Sequence, residues 1–247
     1  MSKIQIAFLL TTIAGLSTML GTIPIFIKLK DENKVIASSL SFAAGVMICV
    51  SITDLVPEAL TLLKTNHNGL LTIILTFIFI IIGIIASTII DKSFPTTTDI
   101  PLYKVGIISM LAIILHNIPE GIATFISTTT QISLGISLTI AIALHNIPEG
   151  ISISIPIYYA TKKKSKALLY TFISALSEPL GAIITYLFLL PFINNTILGL
   201  LFSFIAGIMI QISLTELLPT SINYERPGLT KTFFILGAIF MLLKFFI

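Results

Sequence analysis

The hexapeptide His116-Asn117-Ile118-Pro119-Glu120-Gly121 recurs without change at His145-Asn146-Ile147-Pro148-Glu149-Gly150, with Leu115 and Ile122 answered by Leu144 and Ile151. Both copies sit midway along apolar runs long enough to cross a bilayer, where ionisable side chains are costly and normally functional. In a helix the first, second and fifth residues of the motif point about 0°, 100° and 40° around the axis, so His116, Asn117 and Glu120 share one face. The same holds for His145, Asn146 and Glu149. Pro119 and Pro148 have no N–H, so the carbonyls of Leu115 and Leu144 lose their helical donors. Inside a membrane such freed groups are tolerated only where protein or a watery cavity satisfies them.

With 55% hydrophobic residues and a mean hydropathy of +1.07, the chain reads as an all-α integral membrane protein and not as one or two soluble domains. Windows of about 20 apolar residues predict eight spans: Ile4 to Ile27, Ile36 to Leu60, Leu70 to Ile90, Val105 to Thr128, Ile132 to Tyr158, Ala167 to Leu190, Thr196 to Thr220 and Leu229 to Ile247. The first run is too long for a signal peptide and lacks a small-x-small cleavage site, so it is read as a helix. The single Cys49 cannot form an intramolecular disulfide and reads as a small apolar filler.

The net charge of +3 is not a nucleic-acid signal, because its location says more than its size. Lysine and arginine gather in the loops after the first, third, fifth and seventh spans, including Lys28, Lys30, Lys104 and the cluster from Lys162 to Lys166. Only Lys3, Lys64 and Lys244 fall on the other side. By the positive-inside tendency both termini are expected outside the cytoplasm. The lysine cluster then reads as a topology anchor or a contact with anionic lipid.

A second repeat surrounds the first. Residues 44–57 of span two align with residues 206–219 of span seven, placing Asp54 on Glu216 and Pro57 on Pro219, with about half the positions identical. Residues 16–21 of span one likewise resemble residues 176–181 of span six. Five spans separate each pair, so the halves cross the bilayer in opposite directions. This is an inverted repeat of helices 1–3 and 6–8 around a central pair 4–5, and transporters built that way hold their site near the midplane. One transmembrane domain, 1–247, is expected, made of repeat one (4–90), the central pair (105–158) and repeat two (166–247). The stretch from Asp91 to Lys104 reads as the longest and most polar loop.

Six carboxylates lie within or at the ends of these spans: Asp54, Glu58, Glu120, Glu149, Glu178 and Glu216. Each charge at mid-bilayer costs about 2.5–3.5 kcal/mol, and no Lys or Arg lies centrally to compensate. Protons or imported cations must do so. Imidazole beside carboxylate suits Zn²⁺, Fe²⁺ or Mn²⁺ better than Ca²⁺ or Mg²⁺, which prefer all-oxygen shells. His116, His145, Glu120, Glu149 and Glu178 fall near one level, while Asp54 and Glu58 lie near one mouth and Glu216 near the other. Asn117 and Asn146 extend the cluster toward a second ion, so one and two sites both stay open. Met47 and Met209 are candidates for soft contacts along the path, with core packing the other reading. His67, in a loop, is given no role.

These residues resemble the ZIP (Zrt/Irt-like) family of divalent-metal transporters, most closely its bacterial members, through the doubled His-Asn-x-Pro-Glu-Gly and the eight spans with outside termini. The resemblance implies that His116, Asn117, Glu120, His145, Asn146, Glu149 and Glu178 form the central metal site. It also implies an alternating-access carrier in the cell (inner) membrane, plausible as a homodimer. Its cargo would be Zn²⁺, brought into the cytoplasm, with Fe²⁺, Mn²⁺, Co²⁺ and Cd²⁺ as further candidates. The loop between spans three and four is short and has no histidine, unlike that of many relatives, and Asn146 stands where some have a carboxylate. The expected path runs past Asp54 and Glu58, through the centre, and out past Glu216. An intramembrane zinc hydrolase is the rival from another class, but the His-Glu-x-x-His pattern of zinc proteases is missing and an enzyme needs no doubled motif. A gated cation channel would share every ligand.

Overall fold

The computed structural model describes residues 1–27, 30–93 and 101–242. Among them there is helix and no strand, as the long apolar runs require. Seven helices of the described residues are long and apolar enough to cross a membrane: α1 (Lys3–Phe26), α2 (Glu32–Lys64), α3 (Gly69–Ser93), α4 (Pro101–Thr130), α5 (Ile132–Thr161), α6 (Lys164–Leu189) and α7 (Asn195–Asn223). An eighth apolar helix, α8 (Pro227–Leu242), covers the described part of the last expected span. Residues 243–247, Lys28, Lys244 and the middle of the expected polar loop, including Pro95 and Thr96 to Thr98, lie outside the described residues. At that loop's edges helix extends further than hydropathy suggests, to Ser93 on one side and from Pro101 on the other.

The helices associate in two groups. The first joins α1, α4, α5 and α6, with α4 lying along α5 and α6, and α1 crossing both α4 and α5. The second joins α2 to α8 and α3 to α7, and α7 also packs on the end of α2. Between the groups the main contacts are α2 with α5 and α4 with α7. Lipid is as apolar as leucine, so close van der Waals approach, and not hydrophobicity, must hold such helices together. The second group is built for it: a Cβ at Gly45 of α2 would meet the Phe234 carbonyl of α8, and one at Gly237 of α8 the Phe42 carbonyl of α2. At matching register, Gly207 of α7 abuts Ile80 of α3 and Gly83 of α3 abuts Phe204 of α7. The outward face of α3 leaves Phe77, Ile81 and Ile85 exposed, a surface suited to acyl chains.

Regular α-helix is interrupted at matched places. In α2 the five residues Ser51–Leu55 form a π-helical turn, with the Val56 N–H donating to the Ser51 carbonyl, and Pro57 follows in the first turn of resumed α-helix. In α7 the turn Ser213–Leu217 repeats this, with Leu218 donating to Ser213 and Pro219 next. Proline cannot donate back along the ladder, and one wide turn before it lets the helix resume with a changed facing. Asp54 and Glu216 sit in these two turns.

The lysines collect at one end. There Lys104 pairs with Asp91 at 2.7 Å, Arg226 with Asp31 at 2.8 Å and Lys162 with Glu32, while Lys164 and Lys166 lie over the rings of Phe26 and Tyr103. At the opposite end Lys3 donates to the Thr130 carbonyl and Asn66 to Thr196. His67, given no role above, contacts Thr196 Oγ1 there at 3.2 Å.

Candidate metal centre

The two motif copies face each other inside the first helix group. His116, Asn117 and Glu120 project from α4, His145, Asn146 and Glu149 from α5, and all six are at most 5% exposed. The helices continue through Pro119 and Pro148. Backbone approach makes the convergence tight. Gly121, the last residue of the first copy, lies against the Glu178 carbonyl of α6, and Gly150, its counterpart in α5, lies against the Thr18 carbonyl of α1. Only glycine allows both contacts, since a side chain at either position would run into backbone. Glu178, fully buried, is thereby brought to the same level.

Glu120 Oε1 lies 2.9 Å from His145 Nε2 and 3.2 Å from His116 Nε2, and Glu149 Oε1 lies 3.1 Å from His116 Nε2. The donor atoms of His116, His145 and Glu149 all fall within 4.8 Å of one another. A tetrahedral ion with bonds of about 2.1 Å separates its ligand atoms by about 3.4 Å, so small adjustments would close this set on one cation. Several buried atoms here have no hydrogen-bond partner, among them Nδ1 of both histidines, Glu120 Oε2, Glu178 Oε2 and Asn146 Oδ1. An unsatisfied buried polar group costs about 1–3 kcal/mol, more when charged. A divalent cation satisfies exactly the kind of oxygen-and-nitrogen set gathered here.

The asparagines hold carboxylates. Asn146 Nδ2 donates to the Ala14 carbonyl at 2.9 Å and to Glu178 Oε1. Asn117, with its amide nitrogen turned to the acceptors, donates to Glu149 Oε2 at 3.3 Å and to the Ile113 carbonyl at 3.1 Å. Helical spacing showed that each asparagine shares a face with its histidine. It could not show that each amide fastens a glutamate of another helix. Glu178→Gln keeps an acceptor for Asn146 but removes the charge, so a purely packing role would leave metal binding unchanged. As a ligand, Glu178 is expected to lose about tenfold in zinc affinity on this change, read by calorimetric titration in detergent micelles.

A cavity of about 720 Å³ leads to the centre: Asp54 and Glu58 line its outer part and Glu120 and His145 its floor. Its walls come from both helix groups, with Leu198 and Phe202 of α7 facing Ser127 of α4 and Leu138 of α5. It opens at the lysine-poor end. Glu216 lies toward the lysine-rich end, within hydrogen-bonding reach of Asp91 and near Lys104. Met47 and Met209 are 2% and 1% exposed within the apolar core and do not line this cavity.

The family profile described as "ZIP Zinc transporter" matches residues 96–244, which contain both motif copies, Glu178 and Glu216. The chain belongs to the ZIP zinc transporter family. Relatives agree over nearly the whole length. A protein named zinc transporter ZupT from Streptococcus mutans is 42% identical, covering 95% of this chain and 94% of its own. Those of the same name from Oceanobacillus iheyensis and Campylobacter jejuni are each 41% identical, covering 98% and 91% of this chain. ZIP membership fits a multi-pass membrane protein with a buried cluster of histidine and glutamate and several membrane-length helices.

Proposed function

We propose that this ZIP protein carries zinc across the cell membrane into the cytoplasm by alternating access, and is a transporter and not an enzyme. The observation that carries the reading is the convergence of His116, His145, Glu120 and Glu149, all buried, where Glu120 and His145 form the floor of a cavity that starts at Asp54 and Glu58. The mixed imidazole and carboxylate donors favour Zn²⁺ and accept Fe²⁺, Mn²⁺, Co²⁺ and Cd²⁺ as further cargoes. His116, Asn117, Glu120, His145, Asn146, Glu149 and Glu178 are assigned to one or two ions.

Eight spans in an inverted repeat, with the lysine-rich end in the cytoplasm and both termini outside, complete the reading. The matched glycine contacts of α2 with α8 and α7 with α3, and the twin π turns at Asp54 and Glu216, support the repeat. The cavity then faces outward, and delivery requires the first helix group to shift against the second until the centre opens past Glu216. Zinc binding releases protons held between imidazole and carboxylate, because the ligands must be deprotonated. A homodimer is the assembly that the family resemblance implies.

Zinc uptake by proteoliposomes tests the reading: flux should saturate with external zinc and show no unitary current. Linear uptake with current steps would make the protein a channel. Neutralising the mouth with Asp54→Asn and Glu58→Gln together should raise the zinc KM by about threefold through lost attraction at part-exposed sites, with kcat little changed.

A further inference from the structure

The two helix groups stand apart around the cavity at one end and are tied by charge at the other. Lys104 of α4, in the first group, pairs at 2.7 Å with Asp91 of α3, in the second, and both side chains are more than two-thirds buried. Glu216 of α7 lies within hydrogen-bonding reach of Asp91 and in the field of Lys104. One other ion pair described at this end also joins the groups, Lys162 with Glu32, but both partners are more than half exposed, and such pairs contribute little. Arg226 with Asp31 lies within the second group.

We propose that Lys104 is a tethered cation that keeps the lysine-rich end shut, and that a departing divalent ion displaces it from Asp91, beside Glu216. This rests on the transport reading above. The logic is charge exchange: two carboxyl groups and one ammonium form a compact cluster across the sliding interface, so separating the groups leaves the carboxylates without their partner. A divalent ion arriving from the centre supplies more charge to the same oxygens and is free to leave. A permanently attached cation thus closes the exit when cargo is absent and yields when it is present, which limits opening of an empty carrier. The gate acts through position and charge, so arginine should replace lysine and glutamine should not.

The test reads the gate directly. Spin labels on Ser93→Cys of α3 and Ser165→Cys of α6, both exposed at this end, report the distance between the groups in nanodiscs, in a Cys49→Ala background without metal. Lys104→Gln should raise the ratio of long to short distances by about fivefold, the size of one part-buried ion pair. Asp91→Asn should shift it the same way through the other partner, and Lys104→Arg should restore the wild-type distribution. Saturating zinc should move the wild type toward the Lys104→Gln distribution. An unchanged distribution in Lys104→Gln, or an arginine variant that behaves like glutamine, overturns the gate, and a wild type unmoved by zinc overturns displacement. The gate variants are compared without metal, and displacement is judged only where wild-type vesicles take up zinc, so these failures differ from failure of the transport reading, which appears as wild-type vesicles that take up no zinc.

Discussion

Zinc flux is expected to fall by about a hundredfold or more when Glu149 is replaced by alanine, with His116→Ala following it. Outer-shell partners of a metal already matter at the level of about 10–100-fold, and a group whose oxygen would bond the ion should matter at least as much. Glu149 is fully buried and sets two other side chains, His116 through Oε1 and Asn117 through Oε2. Its removal takes away a negative charge and leaves His116 with Glu120 alone and Asn117 with the Ile113 carbonyl alone. The protein still inserts, because the apolar faces that meet lipid are untouched, so detergent-extracted yield and gel-filtration profile should match the wild type while flux in proteoliposomes is lost. Wild-type-like flux from both variants would end the assignment of these residues to the transport site.

An equally large loss is expected from a residue that offers no ligand. Gly121→Val places a side chain where the Glu178 backbone stands, and backbone on both sides of the contact cannot move aside as a side-chain tip can. Forcing α4 and α6 apart costs about 1–3 kcal/mol by the measure of overpacked cores. It also withdraws Glu178 from the centre and loosens its bond to Asn146. Zinc binding measured by titration and zinc flux should both collapse, and the melting temperature should drop. Gly228→Ala serves as the control, since an added Cβ there meets nothing within 4 Å, and it should leave all three readings unchanged. Normal zinc binding by Gly121→Val would show that the close crossing of α4 and α6 does not set the site.

Much of the centre was legible because its chemistry is written twice in identical letters, and helical spacing alone puts histidine and glutamate on one face. Glu178 was legible as a carboxylate midway along an otherwise apolar run. The grouping of helices was not. A helix apolar all round presents no face to read, so the pairing of α2 with α8 and α3 with α7 rests on glycine contacts that appear only in three dimensions. The π turns at Asp54 and Glu216 were also hidden, because one wide turn changes neither composition nor mean hydropathy. Their available signal was Pro57 and Pro219, each three residues after its carboxylate, where the helical ladder must adjust. Which end holds the cavity is a property of how the groups are tilted together, and no run of residues encodes it locally. The ion pair of Lys104 with Asp91 spans a connection that reads in sequence only as a polar loop.

Anomalous diffraction at the zinc edge, from crystals of the protein grown with zinc, locates the ion without reference to any activity. A peak bonded to His116, His145 and Glu149, between α4 and α5, is the expected result, with a second near Asn117, Asn146 and Glu178 if two ions bind. Zinc found only on surface side chains, with the space between the two motif copies empty of signal, would contradict the central claim.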